Sequence, residues 1–314
     1  MRRQSLLLAI AALILSTSGC ARLASKSAAG LMVQAPNRLD PRIRWTSLRP
    51  VSPSQGGFDE RFWVEVGPPR AHLLVSIVDP RPGGARPVGT ILLLHGAYDR
   101  SESMLKAANT FRAHGYRAVL VDMRGHGRST GARITYGVQE SKDISQVIDS
   151  LDRRGLLAGK LGVYGFSFGA ASAIELAGRD PRVSAVVAVA PFSSFHDAAS
   201  HAIQTRMPVA RLFANEQWID ETIREAGRRG GFDWRAASPL AAIQRTDAMV
   251  LLVHGDADRF VEPYHSIRLH RAAPDRSRVA LIAGANHHDL ATDEKGTAAS
   301  LALEWFNCRI LDPG

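Results

Sequence analysis

Cysteine is almost absent, with Cys20 and Cys308 the only two in 314 residues. A pair at opposite ends of the sequence excludes a disulfide framework and a cysteine-based zinc site. No basic run interleaved with aromatics occurs either. Arginine dominates the 39 basic residues but is scattered, and aromatic residues make up 7% of the chain, so the formal charge of +9 does not point to a nucleic-acid partner. Internal repeats are missing. The apolar run Leu6 to Leu15 is ten residues long, too short for a permanent membrane-spanning helix.

That run follows Met1-Arg2-Arg3 and precedes Ser16-Thr17-Ser18-Gly19-Cys20, which is the order of a secretory signal: basic, apolar, then small residues before a cleavage point. A cysteine directly after Ser-Gly resembles the lipobox of bacterial lipoproteins, in which Cys20 becomes the lipid-bearing first residue of the mature protein. Thr17 departs from the Leu, Val or Ile usual three positions before the cysteine, so ordinary signal cleavage and retention as a signal anchor stay open as alternatives. The expectation is a signal peptide over 1–19 and an exported protein of the bacterial cell envelope, held at the membrane by a lipid on Cys20. Loss of Arg2 and Arg3 with the leader lowers the charge from +9 to +7, a balance that favours contact with anionic headgroups. Cys308 would then be unpaired; its place after Leu301, Leu303, Trp305 and Phe306 predicts a buried structural thiol.

Residues 20–59, with Pro36, Pro41, Pro50 and Pro53 and little periodicity, are predicted to be a tether. Residues 60–314 are long enough for one α/β domain with a substantial core. It opens with two strands, Phe62 to Val66 and His72 to Val78, around Gly67-Pro68-Pro69, a hairpin-like antiparallel start. Six apolar strand candidates follow: Thr90 to Leu94, Ala118 to Val121, Leu161 to Tyr164, Ala185 to Val189, Met249 to Val253 and Val279 to Ile282. Their near-continuous apolar character implies burial on both faces, as in a mostly parallel eight-stranded sheet covered by helices. Helical patterns lie between them, near Ser101 to His114, Val138 to Arg153, Phe168 to Arg179, Tyr264 to Ala272 and Lys295 to Phe306. One interval breaks the alternation. From about 192 to 245 no strand pattern occurs, while Phe195, Ala198, Ala199, Ile203 and Met207 recur at helical spacing, which predicts a helical cap.

Gly165-Phe166-Ser167-Phe168-Gly169 follows a buried strand and opens a helix. Flanking glycines let strand and helix approach closely while the serine is held strained, with its hydroxyl outward. By itself such a stretch arises readily by chance, and its meaning depends on partners. A serine needs a base, usually histidine, which a carboxylate orients. His254-Gly255-Asp256-Ala257-Asp258 and Gly284-Ala285-Asn286-His287-His288-Asp289 each follow a strand, so both reach the carboxyl edge where Ser167 emerges.

With these turns, His95-Gly96-Ala97 and Asp122-Met123-Arg124-Gly125-His126-Gly127-Arg128-Ser129, the chain after about residue 60 resembles the α/β-hydrolase superfamily in the order Ser…Asp…His. Within it the sequence looks like serine hydrolases with a short helical cap, the group that includes monoacylglycerol lipase-like esterases and serine aminopeptidase-like members. The resemblance implies the α/β-hydrolase fold and a triad of Ser167, Asp258 and His287, with Asp256 holding its turn and His288 a neighbour. It implies oxyanion donors at the backbone N–H groups of Ala97 and Phe168, and leaves His95 and His126 to hold their loops. The His95 turn lacks the triple glycine of the hormone-sensitive-lipase-like branch, and serine at the nucleophile position sets the chain apart from dehalogenase-like and epoxide hydrolase-like members, which use aspartate. No cofactor or metal is called for. Phe166, Phe168, Phe192, Phe195, Met207, Phe213 and Trp218 favour an apolar small-molecule or lipid ester as substrate, although Phe166 can equally face the core. An amide or thioester hydrolase, or a non-catalytic binding lipoprotein on the same fold, are the alternatives.

Overall fold

The computed structural model describes residues 19–38, 56–80, 86–207 and 214–311. Most of the predicted leader, the part of the predicted tether with Pro41, Pro50 and Pro53, and Phe213 lie outside them.

Eight strands form one sheet in the order β1-β2-β4-β3-β5-β6-β7-β8. They are β1 Glu60–Val66, β2 Ala71–Val78, β3 Thr90–Leu94, β4 Arg117–Val121, β5 Leu161–Phe166, β6 Val183–Val189, β7 Met249–Gly255 and β8 Ser277–Ile282. β1 pairs antiparallel with β2, and β2 antiparallel with β4; every other pairing is parallel. All eight predicted strands are present, each with one end or both extended by a residue or two except β3. The apolar runs are central because both faces are covered. Leu92, Leu94, Val163, Val186 and Leu252 pack beneath helices Val138–Arg153 and Phe168–Ala177. Their neighbours of opposite parity, Ile91, Leu93, Tyr164, Val187 and Val253, pack beneath helices Leu105–Ala113 and Thr297–Phe306. β1 and β8 form the edges and are only partly buried.

Among the described residues the cap interval holds helices Phe195–Arg206, Glu216–Gly230 and Pro239–Ile243 with a short 3-10 turn, Trp234–Ala236. Ser194, Asn215 and Ser238 cap the three helices through side-chain oxygens that accept backbone N–H groups.

Two expectations need correction. Residues 19–33 are helical and docked, where an irregular tether is predicted. Ala21, Ala24, Ala28, Ala29, Met32 and Val33 recur at three- and four-residue spacing and pack against Phe195, Ile203, Trp218, Ile219 and Ile223 of the cap. The Trp218 indole donates to the Ala21 carbonyl (2.9 Å), and Thr222 Oγ1 to Ser25 Oγ (3.0 Å). Beyond the helix, Gln34 bridges Arg133, and the Asn37 side chain donates to the Ser129 carbonyl. Cys308, predicted to be buried, is exposed. The helix Thr297–Phe306 passes into a wider turn, Asn307–Leu311; Phe306 and Ile310 are buried, and the cysteine between them is not. Cys20 is exposed as well. Among the described residues no helix is long and apolar enough to cross a membrane.

Candidate active site

Ser167 sits between the end of β5 and the first residue of helix Phe168–Ala177, with φ 51° and ψ −112°. A residue with a side chain adopts this region at a cost, and the glycines on either side explain how the turn is held. A Cβ on Gly165 would stand 2.3 Å from the Gly169 carbonyl oxygen, and one on Gly169 would stand 2.1 Å from that of Leu94. Neither position admits any other residue at this separation of strand and helix. Ser167 N–H donates to the Val189 carbonyl on β6 (2.7 Å), which fixes the turn to the neighbouring strand end.

His287 Nε2 lies 3.1 Å from Ser167 Oγ, and its Nδ1 lies 2.6 Å from Asp258 Oδ2. The three residues named from the sequence are thus in one hydrogen-bonded chain. His287 opens a short helix, His287–Thr292, where the sequence reads as a turn. Its N-cap Asn286 accepts from the N–H groups of His288 and Asp289, while Asp289 accepts in return from Asn286. This reciprocal cap fixes the backbone that carries the imidazole. His288 is exposed and outside the chain of bonds.

Asp258 is buried, and its other oxygen, Oδ1, accepts from the N–H groups of Phe260 (2.8 Å) and Val261 (2.9 Å). Burial alone would raise its carboxyl, but nearby His254, the bond to His287 and the Val261 N–H outweigh this and hold it well below the usual carboxylate range. Asp256 serves the backbone instead. Its Oδ1 accepts from Gly284 N–H (2.7 Å), joining the loop after β7 to the loop after β8.

Ala97, in the loop after β3, and Phe168 border the same cavity as Ser167. Phe168 begins its helix, so its N–H is one of the first four with no carbonyl acceptor inside the helix. His95 is buried, with Nε2 accepting from Met123 N–H (3.0 Å), and His126 Nδ1 faces the Arg124 carbonyl (2.9 Å). Burial lowers His126 to about 3, and His95 is lowered for the same reason, so both rings are neutral and brace their loops. Asp122 accepts from Ser101 and Arg128 N–H groups and closes that loop. Among the described residues no group of three or more His, Cys, Asp or Glu side chains is placed to hold a metal ion.

The cavity over Ser167 has a volume of about 400 Å³, within the range of pockets that hold small organic ligands. Phe192, Ala198, Ala202, Met207 and Val261 supply apolar walls, as do Leu31 and Met32 of the N-terminal helix. Of the aromatics expected here, Phe168 and Phe192 border the cavity. Phe166 packs instead between Gly96 and the His287 ring (centroids 4.9 Å apart), Phe195 lies against Tyr136, and Trp218 faces the N-terminal helix. Phe260, which sequence reasoning missed, also stacks on the His287 ring at 4.6 Å, and Arg206 covers the Phe260 ring at 3.3 Å. The imidazole therefore contacts two aromatic rings. His265 also borders the cavity, with Nδ1 accepting from Ser193 and burial lowering it to about 4.

Residues 71–208, under half of the chain, match the family model described as X-Pro dipeptidyl-peptidase (S15 family). The matched segment contains Ser167 but neither Asp258 nor His287. The uncharacterised protein YqkD of Bacillus subtilis (strain 168) is 27% identical over 191 residues, which span 58% of this chain and 59% of that protein. A thiohydrolase of Arthrinium phaeospermum, apmlB, is 34% identical over 112 residues, 34% of this chain and 36% of that protein. Among solved structures, the esterase Pf2001 of Pyrococcus furiosus superposes with a TM-score of 0.63 at 20% identity, covering 84% of this chain and 96% of that one. The chain has the α/β-hydrolase fold, and the family model together with the thiohydrolase likeness supports a serine hydrolase built on it.

Proposed function

We propose that this protein hydrolyses carboxylic esters with an apolar acyl or alcohol part, through an acyl-enzyme on Ser167. The observation that carries the reading is the continuous hydrogen-bonded chain Ser167–His287–Asp258, opening into a cavity with apolar walls. His287 Nε2 takes the Ser167 proton as Oγ bonds to the ester carbonyl carbon. The carbonyl electron pair moves to oxygen, where the Ala97 and Phe168 N–H groups stabilise the negative charge. On collapse the C–O bond to the alcohol breaks, and His287 gives the proton to the departing oxygen. Water then attacks the acyl-enzyme with His287 again as base, releasing the acid and restoring Ser167. Asp258, ionised throughout, orients the imidazole and offsets its transient positive charge.

A second reading, hydrolysis of amides or thioesters, draws on the family model and on the thiohydrolase likeness. One feature weighs against the dipeptidyl-peptidase form of it. Such an enzyme must recognise a free α-ammonium group, and among the described residues lining the cavity there is no carboxylate; the permanently charged group there is Arg206. We also propose that Cys20 carries a lipid in the cell envelope. Its thiol is exposed in the first described turn of the N-terminal helix, and intact-mass analysis of the membrane fraction tests this by a diacylglyceryl addition.

The test of activity is labelling by a fluorophosphonate together with turnover of p-nitrophenyl esters, acyl thioesters and peptide amides. Wild type is expected to be labelled and to prefer esters, and Ser167→Ala to lose labelling and about 10⁴- to 10⁶-fold of kcat. A folded wild type that is neither labelled nor active sinks the reading, and preference for amides or thioesters replaces it by the second one.

A further inference from the structure

The N-terminal helix, residues 19–33, lies outside the α/β domain, yet Leu31 and Met32 border the cavity that holds Ser167. The contact is fixed from several sides. Near the start of the helix, Trp218 donates to the Ala21 carbonyl and Thr222 to Ser25; past its end, Gln34 is bridged to Arg133. At the cavity, the Tyr136 hydroxyl donates to the Met32 carbonyl at 2.7 Å. Tyr136 itself borders the cavity, in the left-handed region at φ 55°, with its ring 4.2 Å from that of Phe195 and 5.9 Å from that of Phe168, the residue after the nucleophile. A strained backbone with a buried hydroxyl persists only where surrounding contacts determine it, and the Met32 carbonyl is one of those contacts. Burial pushes the Tyr136 phenol upward, so it stays a neutral donor.

On the cap side the cavity is bordered by Ala198 and Ala202, four residues apart on one face of helix Phe195–Arg206. Methyl side chains there leave room that larger residues would fill. Space is thus kept open by small cap residues and closed by the N-terminal helix.

Resting on the ester-hydrolase reading, we propose that Leu31 and Met32, latched by Tyr136, are the chain-length-determining wall of the acyl site, and that the substrates are esters of acyl chains long enough to reach it from Ser167. Leu31 is half-exposed, so its side chain can be enlarged or cut without repacking a core.

The experiment measures kcat/KM for p-nitrophenyl acetate, butyrate, octanoate and laurate with the full chain, its Leu31→Trp, Leu31→Ala and Tyr136→Phe variants, and labelling of each by a short dialkyl fluorophosphonate. Each methylene that loses its contact weakens transition-state binding by about 0.8 kcal/mol, roughly fourfold. The octanoate-to-acetate ratio is therefore expected to fall at least about tenfold in Leu31→Trp and about threefold in Tyr136→Phe, while Leu31→Ala moves the optimum toward laurate. Ratios in all three variants within twofold of wild type, in labelled protein, overturn the wall and leave the ester-hydrolase reading standing. A wild type that is unlabelled and cleaves none of the esters overturns both.

Discussion

Ser167, Asp258 and His287 each stand within a few residues of a strand end, whereas Leu31 and Tyr136, which share their surroundings, come from a helix and from a loop well beyond β4. At the sheet edge, ladder hydrogen bonds set the backbone, so a side chain just past β5, β7 or β8 has few places to be. On the cap side, position follows from packing between segments far apart in sequence. The hydrogen-bonded chain is thus mounted on the stiff part of the molecule, and the cavity beside it is assembled from parts that only tertiary contacts fix.

The two aspartates of the loop after β7 break this comparison most sharply. Asp258→Asn removes the charge facing His287 and favours the wrong imidazole tautomer, so kcat for a p-nitrophenyl ester is expected to fall by about 10⁴ with little change in melting temperature. Asp256→Ala is expected to leave kcat within a few-fold and to cost about 1 kcal/mol in urea unfolding, because it loses a loop-to-loop hydrogen bond. The opposite ranking would exchange their roles.

Glu175 sharpens the comparison where the two regions meet. It projects from helix Phe168–Ala177, and its carboxylate accepts from the N–H of Ser238 in the cap (2.7 Å). Burial, only partly offset by that N–H, pushes its carboxyl up to about 7, against 4.5 for an ordinary glutamate. The folded protein therefore keeps a proton that the unfolded chain releases, so the stabilisation is full below the unfolded value and is lost as pH rises through the folded one. Urea unfolding should show stability declining between about pH 5 and pH 8 by up to about 3 kcal/mol. Glu175→Gln, neutral at every pH, should flatten that decline; an unchanged slope would show that the carboxyl titrates normally.

The smallest effect concerns the N-terminal helix. Trp218→Phe deletes the donor to the Ala21 carbonyl and is expected to cost about 1 kcal/mol. Proteolysis at Arg22 or Lys26 should quicken, with the sheet domain intact. Equal protection of the helix in both proteins would show that this hydrogen bond does not hold it.

These contrasts also explain what is legible in the sequence. The eight strands can be read because continuous apolar runs such as Ile91 to Leu94 occur only where both faces are covered. The three residues of the hydrogen-bonded chain can be found because each sits on a glycine-bearing turn after such a run. The docked helix escapes notice for a physical reason: its buried face is mostly alanine, which carries little hydropathic contrast, and the prolines that follow it suggest an irregular segment. Phe260 gives no local signal, since its stacking on His287 depends on the loop that Asp258 draws in through two N–H groups. Cys308 falls on the exposed side because the helix ends in a wider turn, which shifts the inward positions to Phe306 and Ile310.

The docked helix also bears on the order in which the molecule can be completed. Ala21 and Trp218 are 197 positions apart, so the first described helix can dock only after more than half of the remaining chain exists. Contacts of such sequence separation form late, since the entropy of closing the intervening loop must be met first, and this one waits for the cap as well. Until the helix docks, the cavity beside Ser167 lacks the side that Leu31 and Met32 supply.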